Sequence, residues 1–469
     1  MDQLTTLDAG FLKAEDADRN VSLAIGGLAV IEGPIPDRDA LMATLAQRIS
    51  ACPRFGQRLR TRPFDIGAPE WVYDPRFDLG HHVRHIALPR PGDDRELFQL
   101  AADVISRRLD RDRPLWEIWI IEGLSDNRWA MLTKIHHCMA DGIAATHMLA
   151  GLCDAGIGES FASHIRAAKD AKAQGVSQTT WSLNPLSVLG GLWNASAAIT
   201  ATAARTALGA AEIAAGLLRP TTTSLNGPIT NLRRYSVARV PLADIAQVCR
   251  SFEVTINDVA LAAITESYRN ILIQRGEAPL PDALRALVPV SMRSVDALDK
   301  TDNRVSVMLP YLPVDEEHPI ERLRMVHSRL DRTKSHGQRQ AGHAFVTMAN
   351  LIPFPVTAWA VRLLTRLPQR GVTTLATNVP GPRQPLQLMG QRVLSVFPVP
   401  PLAMQLRTGV AMLSYADDLF FGVLADYDAV ADIDALARGI EVAVAHLVAI
   451  SKHRKQIRGR RGLSLVVND

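Results

Sequence analysis

A strand that runs directly into two histidines constrains this chain more than any other stretch. Trp129-Ala130-Met131-Leu132-Thr133-Lys134-Ile135 alternates like a strand. His136-His137-Cys138-Met139-Ala140-Asp141-Gly142 follows it. The apolar spacing of Ile143-Ala144-Ala145-Thr146-His147-Met148-Leu149 then predicts a helix. Upstream, Trp116-Glu117-Ile118-Trp119-Ile120-Ile121 reads as a second strand, closed by a polar turn at Ser125-Asp126-Asn127. The two strands are expected to pair as a hairpin that ends at the histidines. A histidine at a strand-to-helix junction reaches a pocket with a fixed orientation, which is what a general base requires.

The same mixture of elements recurs along the chain. Leu41–Ile49 and the stripe Leu97, Leu100, Val104, Ile105, Leu109 have helical spacing, and Val83–Leu88 alternates as a strand up to Pro89. Further on, Ile256–Ile273 predicts a helix and Ala286–Ser291 a buried strand. Val410–Tyr415 and Leu419–Leu424 predict a hairpin turning at Asp417-Asp418, and Ile433–Ile450 a closing helix. Residues 155–223 differ: they are rich in Ala, Ser, Thr and Gly, and read as a crossover linker with one long helix, Ser187–Leu218. A chain of 469 residues is long enough for two cores. The expected fold is α/β, with two domains, each a mixed sheet flanked by helices, and a site at their interface. The expected boundaries are 1–154, the linker 155–223, a second domain 224–451, and a basic tail 452–469. That tail, Lys452-His453-Arg454-Lys455 onward, fits either a solvated terminus or attraction to anionic lipid headgroups.

The bulk numbers exclude several classes. A net charge of +4 is too small for a dedicated nucleic-acid binder. Four cysteines with no CxxC pair fit reduced thiols in the cytoplasm. The N-terminus has no basic and apolar signal pattern. Leu186–Ala204 is uncharged, but is built largely from Ala, Ser, Thr, Gly and Asn, which suits a surface-packed or membrane-skimming helix better than a span.

Five readings compete for the histidine motif. His137 can act as general base in acyl transfer, taking a hydroxyl proton as the oxygen attacks a thioester. His136, His137 and Asp141 could hold a metal, although neighbouring strand residues point to opposite faces. Cys138 could be a nucleophile, although bonded neighbours rarely align for this. The histidines could be hydrogen-bonded core groups, or the chain could be a catalytically silent lipid-binding protein. The cluster His81-His82-Val83-Arg84-His85 reads as surface or edge structure.

The pattern His136-His137, three residues, Asp141-Gly142 resembles the coenzyme A-dependent acyltransferases of the chloramphenicol acetyltransferase-like superfamily, which includes peptide-synthetase condensation domains. Pro114-Leu115-Trp116, Asn257-Asp258, Asn378-Val379-Pro380-Gly381-Pro382 and Leu7-Asp8-Ala9-Gly10-Phe11-Leu12 narrow it. Together they resemble the bacterial wax ester synthase/diacylglycerol acyltransferase family, and within it the mycobacterial triacylglycerol synthases.

The resemblance implies a diacylglycerol O-acyltransferase that makes triacylglycerol from long-chain acyl-CoA, with a wax ester side activity. It implies no cofactor beyond the coenzyme A thioester as substrate, and no metal. His137 is then the base, supported by His136. Asp141 is structural and paired with an arginine: Arg58 is the candidate and Arg293 its rival. Gly142 lets the chain turn. Pro114, Leu115 and Trp116 would line a substrate channel, with core packing as the alternative for Trp116. Asn257 and Asp258 would face the cleft or cap a helix. Asn378 would donate to an oxyanion or shape a turn. A condensation-type acyltransferase on carrier-bound chains is the rival enzyme. The uncharged segment Ala344–Val361 suits a tunnel wall or an interfacial surface, at the inner membrane face or on lipid droplets.

Overall fold

Asp126 and Asn127 both adopt positive φ (60° and 52°), a conformation that Asp and Asn tolerate better than other side chains. That turn joins β5 (Trp116–Leu124) to β6 (Arg128–His136), antiparallel, with Trp116 opposite Ile135. The hairpin read from the sequence is therefore present. The computed structural model that shows it describes residues 3–61, 67–154, 223–291, 305–335, 371–403 and 405–464.

Two six-stranded mixed sheets, with helices against them, form the frame. The first runs β11-β12-β1-β6-β5-β4, using β1 (Ala24–Glu32), β4 (Val83–Ala87), β11 (Gln387–Leu388) and β12 (Gln391–Val399). Its one parallel pair is β4–β5. The second runs β7-β14-β13-β10-β8-β9. Its strands are β7 (Arg233–Pro241), β8 (Ala286–Ser291), β9 (Val305–Met308), β10 (Thr374–Val379), β13 (Thr408–Tyr415) and β14 (Asp418–Asp426). Here β10 runs parallel to both β13 and β8. A short pair, β2 (Gln57–Arg60) and β3 (Glu70–Tyr73), stands apart.

The boundary expected near residue 224 does not separate the two sheets. Strands β11 and β12 belong to the second half of the chain, yet β12 pairs antiparallel with β1 of the first sheet. The exchange covers an edge that β1 would otherwise leave open. Asp154 pins the donated hairpin: its carboxylate accepts from the backbone N–H of Met389 (2.8 Å) and Gly390 (2.6 Å).

Aromatic packing joins the sheets. Phe397 of β12 meets Phe420 of β14 edge to face, 5.2 Å between centroids, and the Tyr235 hydroxyl donates to the Pro398 carbonyl at 2.9 Å. Helices α1 (Thr6–Ala17), α2 (Arg38–Ser50), α3 (Asp94–Ser106) and α4 (Gly142–Gly151) serve the first half. In the second half, α5 (Leu242–Phe252), α6 (Ile256–Gln274), α7 (Pro319–Ser335) and α8 (Ile433–Ser464) bury a second apolar cluster against the second sheet. Helix α8 runs past the expected Ile450 to Ser464, so 452–464 continue a helix rather than fray. The linker helix and Ala344–Val361 lie outside the described residues. Among those described, no helix is long and apolar enough to cross a membrane.

Candidate active site

The histidine loop is tied down by its backbone. His136, the last residue of β6, donates its N–H to the Leu115 carbonyl (3.0 Å), and His137 donates to the Leu23 carbonyl (2.9 Å). Asp141 is the N-cap of α4: its buried carboxylate accepts from the Ala144 N–H at 2.9 Å. A Cβ on Gly142 would lie 2.7 Å from Cγ2 of Val379, so the turn is closed against β10. Gly381 is needed for a similar reason, because its Cβ would lie 2.1 Å from the Ser414 carbonyl oxygen. The motifs around residues 136–142 and 378–382 thus meet in space.

The two histidines have different surroundings. His136 is 1% exposed. Its Nδ1 accepts the Cys138 N–H at 3.1 Å, so a neutral ring carries its proton on Nε2. That Nε2 faces Oε2 of Glu15 at 3.5 Å, and Glu15 is equally buried. Glu15 also accepts from the Leu23 N–H (3.0 Å) and the Arg111 guanidinium (2.6 Å). Burial pushes the Glu15 carboxyl up, but the His136 imidazole, the Leu23 amide and Arg111 outweigh it and hold it at about 2. His137 is half-buried, and its ring stacks on Phe11 with centroids 4.3 Å apart and planes at 22°.

Lys134 adds a third polar group two residues earlier on the same face of β6. Its Nζ donates to the carbonyls of Val104 (2.9 Å) and Arg107 (2.6 Å) at the end of α3. Burial lowers it to about 8, against the pull of Glu117 and Glu15. Cys138 is 2% exposed, and burial pushes its thiol well above the ordinary range, which disfavours the thiolate a nucleophile needs. Among the described residues, no three His, Cys, Asp or Glu groups form a metal-holding cluster.

Several expected site residues have other roles. Arg58 faces Asp74 at 3.8 Å, not Asp141, because the β2–β3 pairing places Asp74 beside it. Its rival Arg293 lies outside the described residues. Pro114, Leu115 and Trp116 are all buried: the Leu115 carbonyl holds the His136 N–H, and Trp116 lines a small cavity with Phe55, Ile135 and Met148. Trp116 donates its indole N–H to the Phe55 carbonyl (2.8 Å) and stacks on His82. His82 is therefore a core residue, not surface, and burial lowers its pKa.

Asp258 is not in a cleft either. Thr255 is the N-cap of α6, and the Asp258 carboxylate closes its capping box and meets Nδ1 of His327 at 2.8 Å. Asn257 is half-buried on the same first turn. Asn378 is a residue of β10 rather than of a turn, and its side chain is exposed, next to the Val379 that touches Gly142. Glu15 was absent from the sequence reading. Its one signal is its spacing of four residues from Phe11 on an amphipathic helix.

Residues 4–260 match the model of the wax ester synthase/diacylglycerol acyltransferase catalytic domain, and residues 301–447 that of the WS/DGAT C-terminal domain. The chain belongs to this family and is an acyltransferase. It is 67% identical over 467 residues to the "Probable diacyglycerol O-acyltransferase tgs1" of Mycobacterium tuberculosis, covering 100% of both chains. The solved wax ester synthase/diacylglycerol acyltransferase of Marinobacter aquaeolei superposes with a TM-score of 0.67 at 26% identity, covering 96% of this chain and 100% of that one. The first condensation domain of the calcium-dependent antibiotic synthetase shares the fold, with a TM-score of 0.60 at 16% identity and 96% of each chain covered.

Proposed function

We propose that this acyltransferase moves a long-chain acyl group from coenzyme A to the free hydroxyl of diacylglycerol, with His137 as general base. The observation that carries the reading is the contrast between the histidines. His136 is sealed in the core, while His137 is only half-buried, on a backbone fixed at Leu23.

The chemistry balances without a resident cofactor. The imidazole of His137 takes the hydroxyl proton as the oxygen attacks the thioester carbonyl. The exposed amide of Asn378 donates to the oxyanion that develops. The C–S bond breaks, and the departing thiolate takes the proton back from the imidazolium. Triacylglycerol and free coenzyme A leave. Fatty alcohol is the alternative acceptor, giving wax ester. The name of the tgs1 relative supports the diacylglycerol acceptor. Both substrates carry long apolar chains, so the enzyme works peripherally at the inner membrane face or on lipid droplets.

The test supplies oleoyl-CoA with diolein or hexadecanol to the purified protein. Triacylglycerol formed in step with free coenzyme A supports the reading. Coenzyme A release without either ester opposes it, as does protein that stays wholly soluble and ignores liposomes for the peripheral part.

A further inference from the structure

Helix α1 touches both histidines of the loop. Phe11 and Glu15 are one helical turn apart, so they project from the same face of α1. Phe11 stacks on His137, and Glu15 faces Nε2 of His136. The two contacts share one more link. Glu15 accepts the N–H of Leu23, while the carbonyl of Leu23 accepts the N–H of His137. One carboxylate therefore faces one histidine ring at 3.5 Å and holds the backbone of the other through a single residue. Arg111 holds that carboxylate from its far side, at 2.6 Å from Oε2.

We propose that α1 positions the histidine loop: Glu15 fixes the tautomer of His136, and Phe11 sets the plane of the His137 ring. The second half of this rests on His137 being the base; the first does not. A carboxylate offers only acceptors, so it selects the ring form with its proton on Nε2. That form leaves Nδ1 free to accept the Cys138 N–H, which turns the chain immediately after the catalytic position. Glutamine keeps one acceptor oxygen where the carboxylate has two; with that oxygen on the fixed Leu23 N–H, its NH2 group faces the Nε2–H, and the ring must turn or exchange its proton. Either change releases Cys138 and loosens the loop. A loosened base costs rate rather than binding, because a small misplacement of a reacting group is worth on the order of 100-fold. Glu15 is thus a positioning residue and touches no substrate.

The experiment uses the full-length protein with 15N-labelled histidine. His136→Asn assigns the His136 signal by difference. The wild type is expected to show His136 as the Nε2–H tautomer. In Glu15→Gln that signal is lost, kcat falls roughly 10- to 100-fold, and KM for oleoyl-CoA stays within about twofold. Phe11→Leu lowers kcat by about tenfold or more with KM held, and Phe11→Tyr, which keeps the stack, recovers about half or more of it. Thermal unfolding confirms that each variant is folded. A retained Nε2–H signal in Glu15→Gln overturns the role of Glu15, whatever the rate does. A kcat within about twofold of wild type overturns it too, and in Phe11→Leu overturns the role of Phe11. Full activity of His137→Ala sinks the base assignment alone, because the His136 tautomer is read without any turnover.

Discussion

Gly142 and Val379 come from opposite halves of the chain, and they touch so closely that a Cβ on Gly142 would lie 2.7 Å from Val379 Cγ2. The first sheet carries the histidines, but the second sheet closes the turn that shapes them. This contact brings the motif at 136–142 and the motif at 378–382 together.

Gly142→Ala therefore has no room unless β10 gives way. Valine is stiff at χ1 and cannot swing its methyl aside. We expect a loss of about 1–3 kcal/mol in urea unfolding, together with reduced turnover. Adding Val379→Ala removes the obstructing methyl and should restore most of both. A double variant no better than Gly142→Ala would show that the glycine is needed for its backbone alone.

Trp116 tests the difference between a channel wall and a core. It is 1% exposed, and its indole N–H satisfies the Phe55 carbonyl. Trp116→Ala should cost about 3–5 kcal/mol. Trp116→Phe should cost about 1–3 kcal/mol by leaving a buried carbonyl without a donor. In both, KM of the protein that remains folded should hold. A raised KM with unchanged stability would return Trp116 to the channel.

What could be read from the sequence follows from how local each signal is. The β5–β6 and β13–β14 hairpins were legible because alternation and an Asp/Asn turn lie within a few residues. The donation of β12 to β1 was not, because a partner across more than 350 residues leaves no local trace. The histidine motif was legible, but its support was not. Arg58 was favoured for lying in the same half as Asp141, whereas the β2–β3 pairing sets it beside Asp74. Asp258 sits three residues after the true N-cap, and only the position of Thr255 reveals that it completes a capping box. Glu15 is one of three acids on an ordinary amphipathic helix, and nothing in its neighbours announces that it is buried.

The depressed Glu15 carboxyl gives an acid limb with a definite sign. Its folded value of about 2 lies below the ordinary 4.5, so its stabilisation is fully present above 4.5 and is lost as pH falls toward 2. The shift corresponds to about 3 kcal/mol. Wild type should exceed Glu15→Gln by roughly that amount in urea unfolding at pH 6, and the gap should shrink as pH falls from 4.5. A gap independent of pH would deny Glu15 its charge in the folded protein.

Asn378 separates catalysis from stability. Its side chain is exposed, so Asn378→Ala should change stability by less than about 0.5 kcal/mol. Loss of an oxyanion donor should lower kcat roughly 100-fold with KM little changed. Wild-type kcat in this variant would leave the oxyanion to another donor.

The proposed proton transfer by His137 is measured most directly by the rate of coenzyme A release from oleoyl-CoA in the presence of diolein. Because position 137 is half-buried at a loop whose backbone ties do not use the imidazole, His137→Ala should fold as the wild type does. Its turnover should fall by about 100- to 10,000-fold, the range a general base supplies. Equal turnover by wild type and folded His137→Ala would contradict the mechanism.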